Sequence, residues 1–121
     1  MNEPAINPAV RAYIFGDFRV DVFSFQVRCK GDVVQLPPKA FDTLLHLVEH
    51  RDRALTKDEL ISMVWPDSFV TEESLTQNIF VLRRALGDDT DRPKFIATIS
   101  RRGYRFVAEV KRRAGARRMA A

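Results

Sequence analysis

Gln77 and Asn78 stand side by side, and Arg83 and Arg84 follow a few residues later. A primary amide presents a donor and an acceptor in one plane. That matches the N6/N7 edge of adenine in the major groove, and each such pair discriminates by roughly 1–3 kcal/mol. A guanidinium group binds phosphate through charge-assisted hydrogen bonds. Val81, between them, is suited to touching a thymine methyl. Residues 74–87 contain two cations and no acid, and residues 92–108 contain Arg92, Lys94, Arg101, Arg102 and Arg105, again without an acid. Amides for base edges beside cations for the backbone are what recognition of duplex DNA requires. A different chemistry is written in His46-Leu47-Val48-Glu49-His50. Here two imidazoles and a carboxylate share one helical face, the H-x-x-E-H spacing of a zinc hydrolase. Against that reading stand the core role of Leu44, Leu45 and Val48 in the same helix and the shortness of the chain for a catalytic cleft. His50 also has a plain place near a helix C-terminus. No glycine-rich phosphate loop or serine–base signature accompanies these stretches, so no catalytic residue, cofactor, metal or small-molecule substrate is expected.

The elements that must position these side chains follow from periodicity. Tyr13-Ile14-Phe15 and Phe18-Arg19-Val20 flank Gly16-Asp17, while residues 25–29 and 33–36 flank Lys30-Gly31-Asp32. Short β-rich runs between Gly-Asp turns predict a four-stranded antiparallel sheet. Pro38 suits a first helical position, and Phe41, Leu44, Leu45 and Val48 predict a first helix over residues 39–50. Thr56 and Glu59 form a capping box that opens a second helix, which Pro66 ends. Residues 72–86 form a third, with Leu75, Ile79, Leu82 and Leu86 toward the core and Gly87 as its cap. Its other face presents Glu73, Gln77, Phe80, Val81 and Arg84, flanked by Ser74 and Asn78. Strands over residues 95–99 and 104–107 close the chain, joined at Ser100-Arg101-Arg102-Gly103. The expected fold is α+β: a winged helix-turn-helix with an N-terminal four-stranded antiparallel sheet, three helices and a C-terminal β-hairpin wing. Helix 72–86 would enter the major groove and wing 100–103 the minor groove, whose negative potential attracts arginine. The expected contacts are Ser74, Gln77, Asn78, Val81, Arg83, Arg84, Arg101 and Arg102. A winged-helix protein–protein interaction module is the alternative, with Phe80 and the Phe69-Val70 turn as its contact points.

Composition bounds these readings. A length of 121 residues suits one domain, expected over residues 13–110, with residues 1–12 as a flexible leader and residues 111–121 as a basic tail or linker. The formal net charge of +4 comes from that tail: without Lys111, Arg112, Arg113, Arg117 and Arg118, fifteen basic residues face sixteen acidic ones. The body is therefore near neutral, and one end of it is selectively positive. No apolar run approaches the roughly 20 residues that span a bilayer. The N-terminus lacks a signal-peptide pattern. Cys29, the lone cysteine, allows no internal disulfide or thiolate cage. A cytoplasmic location is expected.

Residues 36–107 resemble the effector domains of OmpR/PhoB-type response regulators. The resemblance rests on Leu36-Pro37-Pro38-Lys39-Ala40-Phe41-Asp42-Thr43-Leu44-Leu45, Leu55-Thr56-Lys57-Asp58-Glu59-Leu60, Val64-Trp65, residues 79–86 and Arg102-Gly103-Tyr104-Arg105-Phe106. With the strand-rich start it covers residues 13–110. It implies DNA binding through the third helix and the wing, often as a head-to-tail homodimer on direct repeats. It also implies contact between the 65–70 turn and RNA polymerase. About a dozen residues precede the unit here, where response regulators carry a receiver domain. The order is similar to the ToxR/CadC arrangement, in which the DNA-binding domain comes first and a membrane span often follows. Arg101 and Arg102 replace the small residues often found at that turn in response regulators.

Overall fold

The computed structural model describes residues 10–114. Strands β1 (Val10–Phe15), β2 (Phe18–Asp21), β3 (Gln26–Cys29) and β4 (Asp32–Val34) form the expected antiparallel meander. Helices α1 (Pro38–Glu49), α2 (Lys57–Val64) and α3 (Glu72–Leu86) follow, with a two-residue strand β5 (Leu55–Thr56) between the first two. Strands β6 (Ile96–Ile99) and β7 (Gly103–Phe106) make the hairpin, and β8 (Lys111–Ala114) comes last.

Two features extend the expected architecture. β8 pairs antiparallel with β1, so the first sheet has five strands in the order β4-β3-β2-β1-β8. An open β1 edge would present unpaired N–H and C=O groups, and β8 satisfies them. The first four residues of the expected tail are therefore part of the sheet, and β1 begins three residues before the expected Tyr13. Residues 1–9 and 115–121 lie outside the described residues. The second feature is that β5 joins the hairpin as a third strand, in the order β5-β7-β6.

One core unites these layers. Val20 and Val27 of the sheet meet Leu44, Leu47 and Val48 of α1, Leu60 of α2, and the Leu75, Ile79, Leu82, Leu86 stripe of α3. Phe15 lies against Phe106 with ring centroids 4.8 Å apart and against Phe95 at 5.3 Å. The edge-to-face geometry favoured by aromatic quadrupoles thus ties the N-terminal sheet to the hairpin. Trp65 is half-buried at the C-cap of α2.

Local capping fixes the helix starts and ends. Glu59 N–H donates to Thr56 Oγ1 at 3.0 Å, and Thr56 N–H donates to Glu59 Oε1 at 2.9 Å. Arg53 grips the same carboxylate through both Nη atoms, at 3.0 and 2.9 Å. These bonds, Arg53 first and the Thr56 N–H second, hold the Glu59 pKa down to about 2. Gly87 takes the left-handed conformation, φ 66°, that ends α3.

Candidate nucleic-acid interface

Arg83 ties α3 to the strands of the hairpin. Its Nη2 donates to the Ile96 carbonyl and to Thr98 Oγ1, both at 2.8 Å, and its guanidinium lies 5.9 Å from the Tyr104 ring centroid. These contacts cross from α3 to both strands of the hairpin. The connecting loop is organised by Asp88, whose carboxylate accepts from the N–H groups of Lys94 at 2.6 Å and Ile96 at 2.8 Å. It also accepts from the N–H groups of Asp89 and Phe95. The hairpin is anchored on its other side as well. Lys57 N–H donates to the Arg102 carbonyl at 3.1 Å, and Leu55 pairs with Tyr104. Gly103 makes this close approach feasible: a Cβ there would collide with the Leu55 carbonyl.

At the tip, Arg102 N–H donates to the Ile99 carbonyl at 2.7 Å. Ser100 and Arg101, the two residues between, have φ of 38° and 66°. Both left-handed values belong to the primed turn that matches strand twist, a place usually filled by Asn or Gly. Holding a serine and an arginine there costs of order 1–3 kcal/mol each. The result is that Arg101 and Arg102 stand exposed at the tip.

The residues expected on α3 divide. Gln77 and Arg84 are exposed on the outward face, Ser74 is half-buried, and Val81 is half-buried and packed against the core. Asn78 turns toward α1, where its Nδ2 donates to Thr43 Oγ1 at 3.2 Å. Thr43 is fully buried and donates in turn to the Lys39 carbonyl at 2.7 Å. Asn78 is thereby engaged in the interior contact of α3 with α1. Arg83 is similarly engaged within the fold, although expected at phosphate. Sequence reasoning left out Thr76 from the exposed face and assigned no role to Phe80 in DNA contact, although Phe80 is 56% exposed. The spacing Thr76, Phe80, Arg84 is the signal that would have grouped them, since residues four apart share a helical face.

The two other stretches are also placed. His50 Nδ1 lies 2.9 Å from the His46 carbonyl oxygen, so it is a donor spent on the end of α1. His46 Nδ1 lies 3.9 Å from Glu49. Among the described residues no group of three or more His, Cys, Asp or Glu is placed to hold a metal ion. In the turn between α2 and α3, the Phe69 side chain is fully exposed. No described helix is long and apolar enough to cross a membrane.

Residues 31–106 match the family described as transcriptional regulatory protein, C terminal. The chain is 38% identical over 104 residues to the transcriptional activator CadC of Escherichia coli, covering 85% of this chain and 20% of that protein. It therefore spans about a fifth of the length of this curated relative. Among solved structures, the DNA-binding domain of E. coli CadC superposes with a TM-score of 0.74 at 34% identity, covering 90% of this chain and all of that one. The DNA-binding domain of Klebsiella pneumoniae RstA, solved in complex with the RstA box, gives 0.70 at 28% identity, covering 79% of this chain and 96% of that one.

Proposed function

The chain belongs to the family of OmpR/PhoB-type, C-terminal domains of transcriptional regulatory proteins, and on that premise we propose that it binds duplex DNA sequence-specifically as the DNA-binding domain of a bacterial transcription regulator. α3 enters the major groove with Gln77 on base edges and Arg84 at phosphate. Arg101 and Arg102 enter the adjacent minor groove. Ser74 and Val81 flank the contact, and Arg83 and Asn78 act mainly by holding α3 against the wing and α1. The observation that carries this reading is the Arg83 tie to Ile96 and Thr98. It joins an outward helix face and an arginine-tipped hairpin into one rigid two-groove reader.

The same premise supports three finer readings. CadC and this chain share the region 38% identical across 85% of this chain. That supports a CadC-like arrangement, with this domain cytoplasmic and further segments supplying the signal. Phe69, fully exposed in the 65–70 turn, offers RNA polymerase an apolar contact. Head-to-tail pairing of two copies on direct repeats would place one wing beside the next protomer. The reading requires no catalytic residue and no cofactor.

Selection of bound duplexes from a random pool, followed by titration of the enriched site against salt, tests the proposal. The expected result is an enriched motif, tandemly repeated, with log affinity falling linearly in log salt. A pool that yields no motif, with only weak and sequence-blind binding, would overturn it.

A further inference from the structure

Phe80 is the anomaly of α3. The residues of its core stripe, Leu75, Ile79, Leu82 and Leu86, are at most 4% exposed, whereas Phe80, on the other face, is 56% exposed. It projects beside Thr76 and Arg84 at the rim of a concavity of about 320 Å³ between α3 and the hairpin, floored by Ile79 and Tyr104. Asp88 also borders the concavity, its carboxylate held by backbone N–H groups. Two cations, Arg83 and Arg84, face this one anion, so the surrounding charge is net positive. An apolar ring set among arginines and a threonine, on a helix face without acids beyond its first turn, is complementary to a polyanion that carries isolated methyl groups. Duplex DNA is such a polyanion: each thymine projects its C5-methyl into the major groove, where phenylalanine is one of the side chains that contact it. Val81, suggested for this role by type, is partly packed against the core, and Phe80 is the freer of the two.

We propose that Phe80, with the Thr76 methyl beside it, is a specificity-determining residue that reads one or two adjacent thymine C5-methyl groups in the major groove. The proposal rests on the DNA-binding reading above and adds a base preference to it. The prediction is a T-over-C discrimination made by methyl contact rather than by hydrogen bonding.

The test uses the full chain and its selected duplex, with each thymine replaced in turn by deoxyuridine. That substitution removes the methyl and leaves every base-pair hydrogen bond in place. Wild type is expected to lose affinity about fourfold per methyl at one position or two neighbouring ones, as befits burial of one carbon. Phe80→Ala should bind thymine and deoxyuridine duplexes alike at those positions, and Phe80→Leu should keep part of the difference. Placing 5-methylcytosine there should bind better than cytosine with wild type and no better than cytosine with Phe80→Ala. Because Phe80 is exposed, Phe80→Ala should melt as wild type does, and the deoxyuridine scan of wild type stands even if it does not. Wild-type binding that is tight yet indifferent to every methyl overturns this inference alone, and points to Phe80 as a protein contact. Methyl sensitivity that persists in Phe80→Ala also overturns it. Failure to bind any selected duplex overturns the DNA-binding reading with it.

Discussion

Gln77 and Asn78 are neighbours in sequence with opposite duties, because consecutive helical residues are rotated by about 100°. Gln77 is exposed, whereas Asn78 is half-buried and bonded to Thr43 Oγ1. Gln77→Ala is therefore expected to leave the melting temperature unchanged and to relax selectivity at one base position, by roughly 1–3 kcal/mol. Asn78→Ala is expected to cost about 1 kcal/mol of stability by removing a partly buried hydrogen bond. Melts and binding curves for both variants decide the matter. If Asn78→Ala melts as wild type and loses selectivity instead, then Asn78 leaves Thr43 when DNA arrives. The face of α3 was legible in the sequence from its leucine stripe, which fixes which side is buried. Which flanking residues turn inward was not, because that depends on a neighbouring helix whose Thr43 is distant in sequence from Asn78. Phe80 is the converse case: its type suggests burial, but its place opposite the leucine stripe puts it on the outward face, where it is 56% exposed.

The elements that sequence announced are those whose signals are local. The Thr56–Glu59 box, the Gly87 cap and the 3.6-residue stripe of α3 all lie within one or two turns of what they specify. β5 and β8 were missed because each owes its strand conformation to a distant partner, β7 and β1 respectively. Neither has the period-2 apolar pattern that would give it away, since Lys111–Ala114 is exposed throughout and Leu55–Thr56 is too short to show any. Two predictions belong here. Glu59 has its pKa depressed to about 2 by Arg53 and the Thr56 N–H. A carboxylate depressed in the folded state contributes stability that is complete above its unfolded value and lost as pH falls through the folded one. The melting-temperature advantage of wild type over Glu59→Gln should thus be constant above about pH 5 and shrink toward pH 2; a difference that ignores pH would show that the ion pair contributes nothing. For the hairpin, Gly103→Ala forces β7 away from the Leu55 carbonyl. Its expected cost is about 1–3 kcal/mol, and the displaced wing should weaken specific DNA binding more than nonspecific binding. Unchanged stability would mean that β5 and β7 separate easily.

Beyond α3, two clusters of cations among the described residues differ in structural standing. The wing tip holds Arg101 and Arg102 in a turn anchored on both sides, and the C-terminal strand holds Lys111, Arg112 and Arg113 on an exposed edge. Either set binds phosphate, so net charge alone does not assign the recognition. Truncation after Val110 would not separate them, because it also strips β8 from the β1 edge and exposes that edge. Replacing Lys111, Arg112 and Arg113 by threonine removes the charge and keeps a residue that favours strands. At the tip, Arg101→Asn places a residue that tolerates the left-handed conformation at φ 66°. Paired with Arg102→Ala, it should keep or raise the melting temperature while removing both cations. If the wing reads a narrow minor groove, this variant loses affinity for the selected site and its preference for A·T-rich flanks. Its slope of log affinity against log salt falls by about 0.9 for each phosphate that is no longer neutralised. The threonine variant should instead lose affinity about equally for selected and random duplexes, because strand cations at an edge carry no base information. A wing variant that binds the selected site as wild type does, beside a threonine variant that binds nothing, would transfer recognition from the wing to the edge of the five-stranded sheet.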